Sequence, residues 1–359
     1  MKIPVNVPLV GKEEISEVAA VLKRGALTSA AKDGGVNVQE FERLVCSFLK
    51  SKYAIAVNSG TAALQAALYA LDIKSGDEVL LPSFTFVATA NSVVSVGAKP
   101  VFVDIKRDNY TIDTDDLRKK VTKKTKAIMP VHLYGNVAYM DEISEIAQKH
   151  QIPIIEDACQ SLGSSYRGKQ TGTFSELGCF SLYAAKVMTS GEGGIISTSD
   201  EKLRDKLLMI RNHGMVHGYD TRILGLNLRL PEINAAIAKV QMKKLPKFLK
   251  KRERNAKVLT ELLSGADVTL PVPRNQEKVN WYLYTISSKN RDKISKVLNE
   301  NDIGATVYYG TPIHKTPYYN TKKSLPNTEW AAKSVLSLPV QPQVTDKHLQ
   351  TTARIIKSL

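Results

Sequence analysis

The sequence predicts an α/β protein, with a large domain built on a mostly parallel sheet between layers of helices and a smaller α+β domain at the C-terminus. Short apolar segments alternate with helical ones as far as residue 198, which is typical of parallel strands joined by crossover helices. The alternation stops after a long helical stretch that begins near Pro231. A chain of 359 residues also suits two domains better than a single core.

Seven segments are predicted to form the strands of the large domain. Each is short and mainly apolar. Because ligands of such sheets bind at the carboxyl ends of the strands, the residues that follow each segment are candidates for function. The predicted strands are Tyr53–Val57, Glu78–Leu81, Pro100–Asp104, Lys126–Val131, Ile152–Glu156, Cys179–Tyr183 and Gly194–Thr198.

Helices are predicted where apolar residues recur every three or four positions and where capping or stop signals flank them. The first, Lys12–Arg24, carries an apolar face that includes Ile15 and Leu22. Asn37 is expected to cap the second helix with its side chain. Further helices are predicted at Ala62–Leu71, Thr85–Val96, Met140–His150, Pro231–Leu263 with an interruption at Pro246, Asp292–Glu300 and Thr328–Leu336.

The second domain follows the long helix. Here Trp281–Ser287 and Thr306–Tyr309 have the pattern of strands, and the helical segments no longer alternate regularly with them. We therefore divide the chain into a large α/β domain, residues 1–240, and a small C-terminal α+β domain, residues 241–359.

The composition narrows the class of protein. The formal charge of +15 suggests nucleic-acid binding, but the basic residues are scattered and no helix-turn-helix, zinc or RNA-binding motif is present. We expect no nucleic-acid partner; a basic surface can instead attract an anionic metabolite such as a nucleotide diphosphate. No membrane span, signal segment, disulfide framework or metal site is expected, so the composition favours a cytoplasmic enzyme.

One lysine stands out at the end of a predicted strand. The stretch Gly178–Gly194, GCFSLYAAKVMTSGEGG, places Lys186 between this strand and a glycine-rich loop. An amine that loses hydration in such a place becomes a usable nucleophile toward a carbonyl group. The alternative is an exposed lysine on an ordinary loop, and this stretch alone would favour that alternative.

Two other strand ends complement Lys186. The turn Asn58–Thr61 opens a helix of small residues, where free backbone N–H groups can bind a phosphate, although an ordinary turn has the same composition. Asp157 ends the strand at Ile152–Glu156, where a carboxylate can pair with a protonated ring nitrogen or cap a helix. A phosphate site, a strand-end aspartate and a later lysine together meet the needs of pyridoxal 5′-phosphate (PLP).

The chain also resembles a known family over nearly its whole length. It is similar to the DegT/StrS-like PLP-dependent sugar aminotransferases, which have the aspartate-aminotransferase fold (fold type I). The motifs that carry the resemblance include NSGTAALQAAL, GDEVLLPSFTFVATANSV, IIEDACQSLGSSYRGKQTG, FSLYAAKVMTSGEGG and LGLNLRLPEINAAI. The sequence YAAK departs from the asparagine- or threonine-containing versions of this loop, which bears on the preferred sugar.

The resemblance implies roles for individual residues. Lys186 would form the Schiff base with the cofactor and later move protons, Asp157 would bind the ring nitrogen, and Gln160 would bind the ring hydroxyl. Phe86 would lie against the ring face, with a core aromatic residue as the alternative. The phosphate would be held by Gly60, Thr61, Ala62 and Ser181, and by Asn227 of a neighbouring subunit.

The resemblance implies a homodimer with shared sites, in which Arg229, Tyr309 and His314 contact the sugar nucleotide. The expected reaction moves an amino group from glutamate to a nucleotide-linked keto-sugar, at C4 of a 4-keto-6-deoxyhexose, for amino-sugar and surface polysaccharide biosynthesis. One alternative is amination of a 3-keto sugar. Another is a non-catalytic regulator that binds PLP. Because Lys186 is present, where related dehydratases carry histidine, amination is favoured over dehydration.

Overall fold

The computed structural model describes residues 3–359 and has the predicted α/β class. The α-helices are α1 (Lys12–Arg24), α2 (Val36–Leu49), α3 (Gly60–Ala70), α4 (Ala88–Ser95), α5 (Thr114–Lys120), α6 (Met140–His150), α7 (Glu201–Arg211), α8 (Glu232–Leu262), α9 (Arg291–Glu300), α10 (Pro326–Ser334) and α11 (Asp346–Lys357). The strands are β1 (Tyr53–Val57), β2 (Glu78–Pro82), β3 (Lys99–Val103), β4 (Thr125–Ile128), β5 (Ile155–Asp157), β6 (Ser165–Tyr166), β7 (Lys169–Gln170), β8 (Leu177–Ser181), β9 (Gly194–Thr198), β10 (Glu277–Lys278), β11 (Tyr284–Ser287) and β12 (Val335–Leu338).

The strands of the large domain form two neighbouring ladders. One is the parallel set β3-β2-β4, and the other is β1-β9-β8-β5, in which only β9 runs against its neighbours. Two parallel bridges, Ile128–Ile154 and Val131–Asp157, join β4 to β5. Seven strands therefore lie side by side, although isolated bridges rather than a continuous ladder connect the two halves.

Helix α3 is almost entirely buried against the second ladder. Five of its eleven residues are alanines, and their small side chains let the helix lie close to β8 and β9. The approach is tightest at its first residue, because a Cβ atom on Gly60 would lie 2.8 Å from Ser181 Cβ. The packing therefore brings the N-terminus of α3 next to the end of β8.

Helix α8 packs against two separate hydrophobic cores along its length. Leu245 belongs to the same buried cluster as α2, whereas Leu259 packs with residues of the C-terminal region. The predicted interruption at Pro246 is wrong, because the helix continues through it. A proline inside a helix costs about 3 kcal/mol, and the buried contacts on both sides of it offset that cost.

The proposed domain boundary at residues 240/241 falls within α8 and stays a prediction. The N-terminal residues complicate it, because Ile3 forms a parallel bridge with Ile303 in the C-terminal region. No helix in the described residues is long and apolar enough to cross a membrane. The expected cytoplasmic location also stays a prediction.

Two residues of the apolar face predicted for α1 point to solvent. Ile15 is 65% exposed and Leu22 is 56% exposed, whereas Glu14 is buried. The buried carboxylate accepts hydrogen bonds from Gln241 Nε2 and Lys244 Nζ of α8, at 2.7 and 2.8 Å. These bonds orient the helix so that Glu14 and Val21 face inward in place of Ile15 and Leu22, so sequence periodicity alone misplaces the buried face.

Two further local predictions are wrong. Asn37 does not cap α2, whose N-cap residue is Gly35. The segment Thr306–Tyr309 forms a single bridge, between Thr306 and Ser337, and no strand. Tyr309 has a φ of 64°, in the left-handed region, which is incompatible with an extended strand.

The carboxylate of Glu232 caps α2 in place of Asn37. Its oxygens accept hydrogen bonds from the backbone N–H groups of Asn37 and Val38, at 3.0 and 3.1 Å, and from Asn37 Nδ2 at 2.8 Å. A negative charge at this end also interacts favourably with the helix dipole.

We expect Glu232→Ala to lower the free energy of unfolding by about 2–3 kcal/mol, since hydrogen bonds to a charged group each contribute roughly 1.5–3 kcal/mol. Urea denaturation followed by circular dichroism measures the change. Glu253→Ala, at an exposed position of the same helix, is the matched control and should change stability by less than about 0.5 kcal/mol. Equal effects of the two substitutions would contradict this account of the cap.

Candidate active site

The site lies where β5 and β8 end side by side. Asp157 is the last residue of β5 and pairs with Cys179 of β8, and Ser181 is the last residue of β8. Lys186 follows in the turn after β8. The structure therefore brings three of the predicted residues to one edge of the sheet, as expected for a parallel arrangement.

Asp157 is buried and held in a fixed orientation. Its Oδ2 accepts a hydrogen bond from Thr89 Oγ1 at 2.8 Å, and its Oδ1 accepts one from the backbone N–H of Cys159 at 3.2 Å. A carboxylate oxygen can accept more than one hydrogen bond, so this group retains capacity for another donor. A protonated ring nitrogen is a donor that fits.

One N–H group of the Gln160 side chain has no acceptor among the described residues. Its Oε1 accepts from the backbone N–H of Tyr134 at 3.0 Å, and its Nε2 donates to Tyr309 Oη at 2.9 Å. These two bonds fix which end of the amide is which. The second N–H of Nε2 is then available for an acceptor such as a ring hydroxyl oxygen.

The N-terminus of α3 presents backbone donors to the same place. Ser59 caps the helix, and its side chain accepts from the N–H of Ala62 at 3.0 Å. The amides of Gly60 and Thr61 have no acceptor within the helix, because the first turn lacks preceding carbonyl groups. A phosphate group fits here, and Ser181 lies beside it. The backbone N–H of Ala62 was also predicted to bind the phosphate, but it already donates to the Ser59 side chain.

The charges of Lys186 and Asp157 act on a common neighbour. Burial raises the pKa of the Cys159 thiol well above its usual range; Asp157 raises it further, and Lys186 opposes the rise. Lys186 Nζ lies 4.6 Å from the centre of the Tyr282 ring. The backbone N–H of Tyr282 donates to Asn280, and Asn280 donates to the carbonyl oxygen of Gln160. These contacts link Lys186 to the segment that follows Asp157.

Aromatic side chains line the site on the side where Gln160 lies. Tyr134 stacks on Tyr309 with ring centres 6.0 Å apart, and Phe84 meets the Tyr309 ring edge-on at 5.8 Å. Burial, with Tyr282 and Asp157 nearby, raises the pKa of Tyr309 well above its usual value. Tyr134 and Tyr309 both have positive φ, a strained conformation for aromatic residues that packing must maintain.

Four other residues were predicted to bind the cofactor or the sugar nucleotide, and their surroundings differ from one to the next. The Phe86 side chain is 58% exposed in the turn before α4. Asn227 is exposed, and Arg229 donates to Asn212 Oδ1 at 2.7 Å. His314 is fully buried, with Nδ1 paired to Ser83 Oγ at 2.7 Å and Nε2 at 3.3 Å from Glu329. The predicted contacts of these residues with cofactor or sugar stay predictions.

Three further buried groups are held by structural partners. His132 Nδ1 accepts from the N–H of Ala138, so its Nε2 carries the proton and donates to Glu156 at 2.9 Å. Arg211 binds Glu42 at 2.7 Å, and Arg252 binds the carbonyl oxygen of Trp281 at 3.0 Å. Neither arginine is free to anchor the carboxylate of an amino donor.

The site contains residues that the sequence analysis did not single out, namely Thr89, Tyr134 and Tyr282. Thr89 had a usable signal, because a strand-end aspartate that is buried needs a donor and Thr89 is a hydroxyl residue in the first turn of α4. The sequence around Tyr134 and Tyr282 carried no such signal. Their positions depend on loops that return from distant parts of the chain.

The donor set fits PLP. A phosphate matches the α3 N-terminus, a ring nitrogen matches Asp157, and a ring hydroxyl matches the free donor of Gln160. Lys186 supplies the amine that such a cofactor requires. The fold and this set of residues define a PLP-dependent aminotransferase.

Comparison with known proteins identifies the family. Residues 8–357 match the DegT/DnrJ/EryC1/StrS aminotransferase family, and the chain belongs to it. A UDP-N-acetyl-3-dehydro-α-D-glucosamine 3-aminotransferase from Acidithiobacillus ferrooxidans is 38% identical over 309 residues, which cover 85% of this chain and 84% of that protein. A protein from Geobacillus stearothermophilus named a pleiotropic regulatory protein is 37% identical, covering 88% and 87% of the two chains.

A solved structure is similar over nearly the whole length. The crystal structure of S. venezuelae DesV in complex with a ketimine intermediate has a TM-score of 0.93, at 33% identity, covering 99% of this chain and 98% of that chain. The predicted family, enzyme class and PLP cofactor are confirmed.

We expect PLP added to the protein to form a Schiff base at Lys186. Borohydride treatment should then fix the cofactor to the peptide that contains this residue. Lys186→Ala should abolish transamination and this label while leaving the circular dichroism spectrum unchanged, since a partly exposed turn side chain contributes little packing. Lys202→Ala, on the exposed side of α7, should behave as wild type. A label on another lysine would show that Lys186 is misassigned.

Proposed function

We propose that the protein transfers an amino group from glutamate to the keto carbon of a nucleotide-linked sugar. The observation that carries the proposal is the meeting of Lys186, Asp157 and Gln160 beside the N-terminus of α3. Membership of the family and the name of the A. ferrooxidans relative support a sugar nucleotide as acceptor. The net charge of +15 suits the diphosphate of such a substrate.

The residues of the site divide the chemistry between them. When bound, PLP supplies a carbonyl group that condenses with amines and a ring that accepts electrons. Asp157 would keep a proton on the ring nitrogen, and Gln160 would donate to the ring hydroxyl oxygen. Lys186 Nζ would move a proton to and from the reacting carbon, as a positioned general acid–base.

The substrate contacts that we propose are narrower than those predicted. Tyr309 lies in the site and binds Gln160, so its ring edge and neighbours form one wall for the sugar. Arg229 and His314 are engaged with Asn212, Ser83 and Glu329, and the proposal does not depend on them.

The position of amination has two candidates. The resemblance of the motifs to the family favours C4 of a 4-keto-6-deoxyhexose. The name of the A. ferrooxidans relative, a 3-aminotransferase, favours C3. The relative named as a regulator also keeps the non-catalytic alternative in view, and the intact Lys186, Asp157 and Gln160 set argues against it.

We propose that the enzyme is a homodimer, and the exposed face of α1 supports this. Ile15 and Leu22 are seven residues apart, so they lie on the same side of the helix and form an apolar stripe. Removing these apolar side chains from water against a partner would be favourable. The occupant that we propose is a second copy of the chain, which also brings its Asn227 to the phosphate.

The reaction is tested with PLP, glutamate and matched 4-keto and 3-keto nucleotide sugars. We expect release of 2-oxoglutarate, and NMR locates the new amine on the sugar. Lys186→Ala protein and free keto acids are the controls, and neither should give an aminated sugar. Amination of keto acids alone would overturn the substrate class, whereas the position found decides between C4 and C3.

The assembly is tested with the double substitution Ile15→Glu and Leu22→Glu. We expect a monomer by sedimentation, since two buried charges without partners would destabilise the interface strongly. Ser16→Glu, an exposed polar position of α1, is the control and should remain dimeric.

Asn227→Ala tests the shared site. It should keep the dimer but weaken PLP binding about 10- to 100-fold, the effect of one lost hydrogen bond to a charged group. A fully active wild-type monomer would contradict the shared site.

A further inference from the structure

The contact between Lys186 and Tyr282 has no role in the chemistry described so far. Lys186 Nζ lies over the ring of Tyr282, 4.6 Å from its centre. A cation in this position is attracted by the negative face of the ring. Tyr282 is buried, and its hydroxyl forms no hydrogen bond with the described residues, so the ring face is the part that meets the amine.

The backbone around Tyr282 is held from several sides. Its N–H donates to Asn280 Oδ1 at 2.9 Å, and its carbonyl oxygen accepts from Asn6 Nδ2 at 3.0 Å. Asn280 in turn donates to the carbonyl oxygen of Gln160 at 3.0 Å. The ring is therefore tied to the same strand-end segment that carries the cofactor-binding residues.

A buried guanidinium completes this support. Arg252 Nη1 donates to the carbonyl oxygens of Trp281 and Tyr282, at 3.0 and 3.4 Å, and Nη2 donates to Asn6 Oδ1 at 2.8 Å. No carboxylate among the described residues pairs with it, and burial lowers the pKa of Arg252 to about 10. Arg252 is therefore a buried cation without a carboxylate partner among the described residues. All of its hydrogen bonds hold either Asn6 or the segment that carries Tyr282.

We propose that Tyr282 is a positioning residue for Lys186, and that its ring face holds the Nζ ammonium whenever the amine is not covalently engaged. This inference rests on the assignment of Lys186 in the proposed function. The side chain of Lys186 has four flexible carbon–carbon bonds, which would otherwise let the free amine leave the reacting carbon. The ring restrains it and stabilises the protonated form that it takes after accepting a proton.

A ring face suits this task better than a carboxylate. A carboxylate would pair with the ammonium through a strong charge-assisted hydrogen bond and hold back the proton that must be returned. A cation–π contact contributes about 0.5–2 kcal/mol, which localises the amine and still allows it to leave.

The test varies the electron density of the ring at constant shape. Position 282 is filled with phenylalanine and then with fluorinated phenylalanines of increasing fluorine number. In the protein without PLP, Lys186 competes with Lys202 for acetic anhydride at fixed pH, and mass spectrometry measures the ratio of the labels. Lys202 is exposed on α7 and serves as the internal reference.

We expect Tyr282→Phe to match wild type within twofold, because the ring face is kept. Labelling of Lys186 should rise in step with fluorine number, to about 2- to 30-fold for pentafluorophenylalanine, as the ammonium loses its stabilisation. In the holoenzyme the same series should lower kcat with little change in KM. Tyr282→Leu should also lower kcat, but the conclusion does not require that this variant folds.

Labelling that is unchanged across the fluorine series would overturn the proposal, since a packing role would not respond to ring electrons. A large effect of Tyr282→Phe alone would assign the role to the hydroxyl and overturn it equally. Failure of the proposed function gives a different result: borohydride would fix PLP to another lysine, while the labelling ratio at Lys186 would still follow fluorine number.

Discussion

Two consecutive carboxylates are buried at the end of β5, and the segments around the site satisfy them. Successive side chains of a strand point to opposite faces, so Glu156 and Asp157 face different layers. Glu156 accepts from the His132 ring and from backbone N–H groups in the turn 172–175, and Asp157 accepts from Thr89 of α4. A buried carboxylate without such donors is strongly unfavourable. The strand end, the turn and α4 therefore form as one unit.

The same dependence extends into the C-terminal region. Gln160 follows the buried pair, and its side chain is fixed by Tyr309, while its carbonyl oxygen is bound by Asn280. Both partners lie more than a hundred residues further along the chain. The strand-end segment supplies the chemistry of the site, and the C-terminal region supplies the walls that orient it.

The sequence was sufficient for the parts of the site that follow strands, because a parallel sheet gathers its carboxyl ends at one edge. Lys186, Asp157 and Ser181 could be placed together on that ground. Of the aromatic wall, only Tyr309 was placed in the site, and the family resemblance alone placed it there. Tyr134 and Tyr282 could not be predicted, because the loops that present them depend on packing between distant segments. The face of α1 was misassigned for a related reason, since the bonds of Glu14 to α8 outweigh the apolar pattern.

The continuous helix α8 also restricts how this protein can change over evolutionary time. Each residue of a helix advances the chain by about 100° around the axis, so an insertion between Leu245 and Leu259 would rotate one half of α8 against the other. That rotation would carry Arg252 away from the carbonyl groups of Trp281 and Tyr282. Length variation among homologues should therefore be confined to loops, with the middle of α8 kept at constant length.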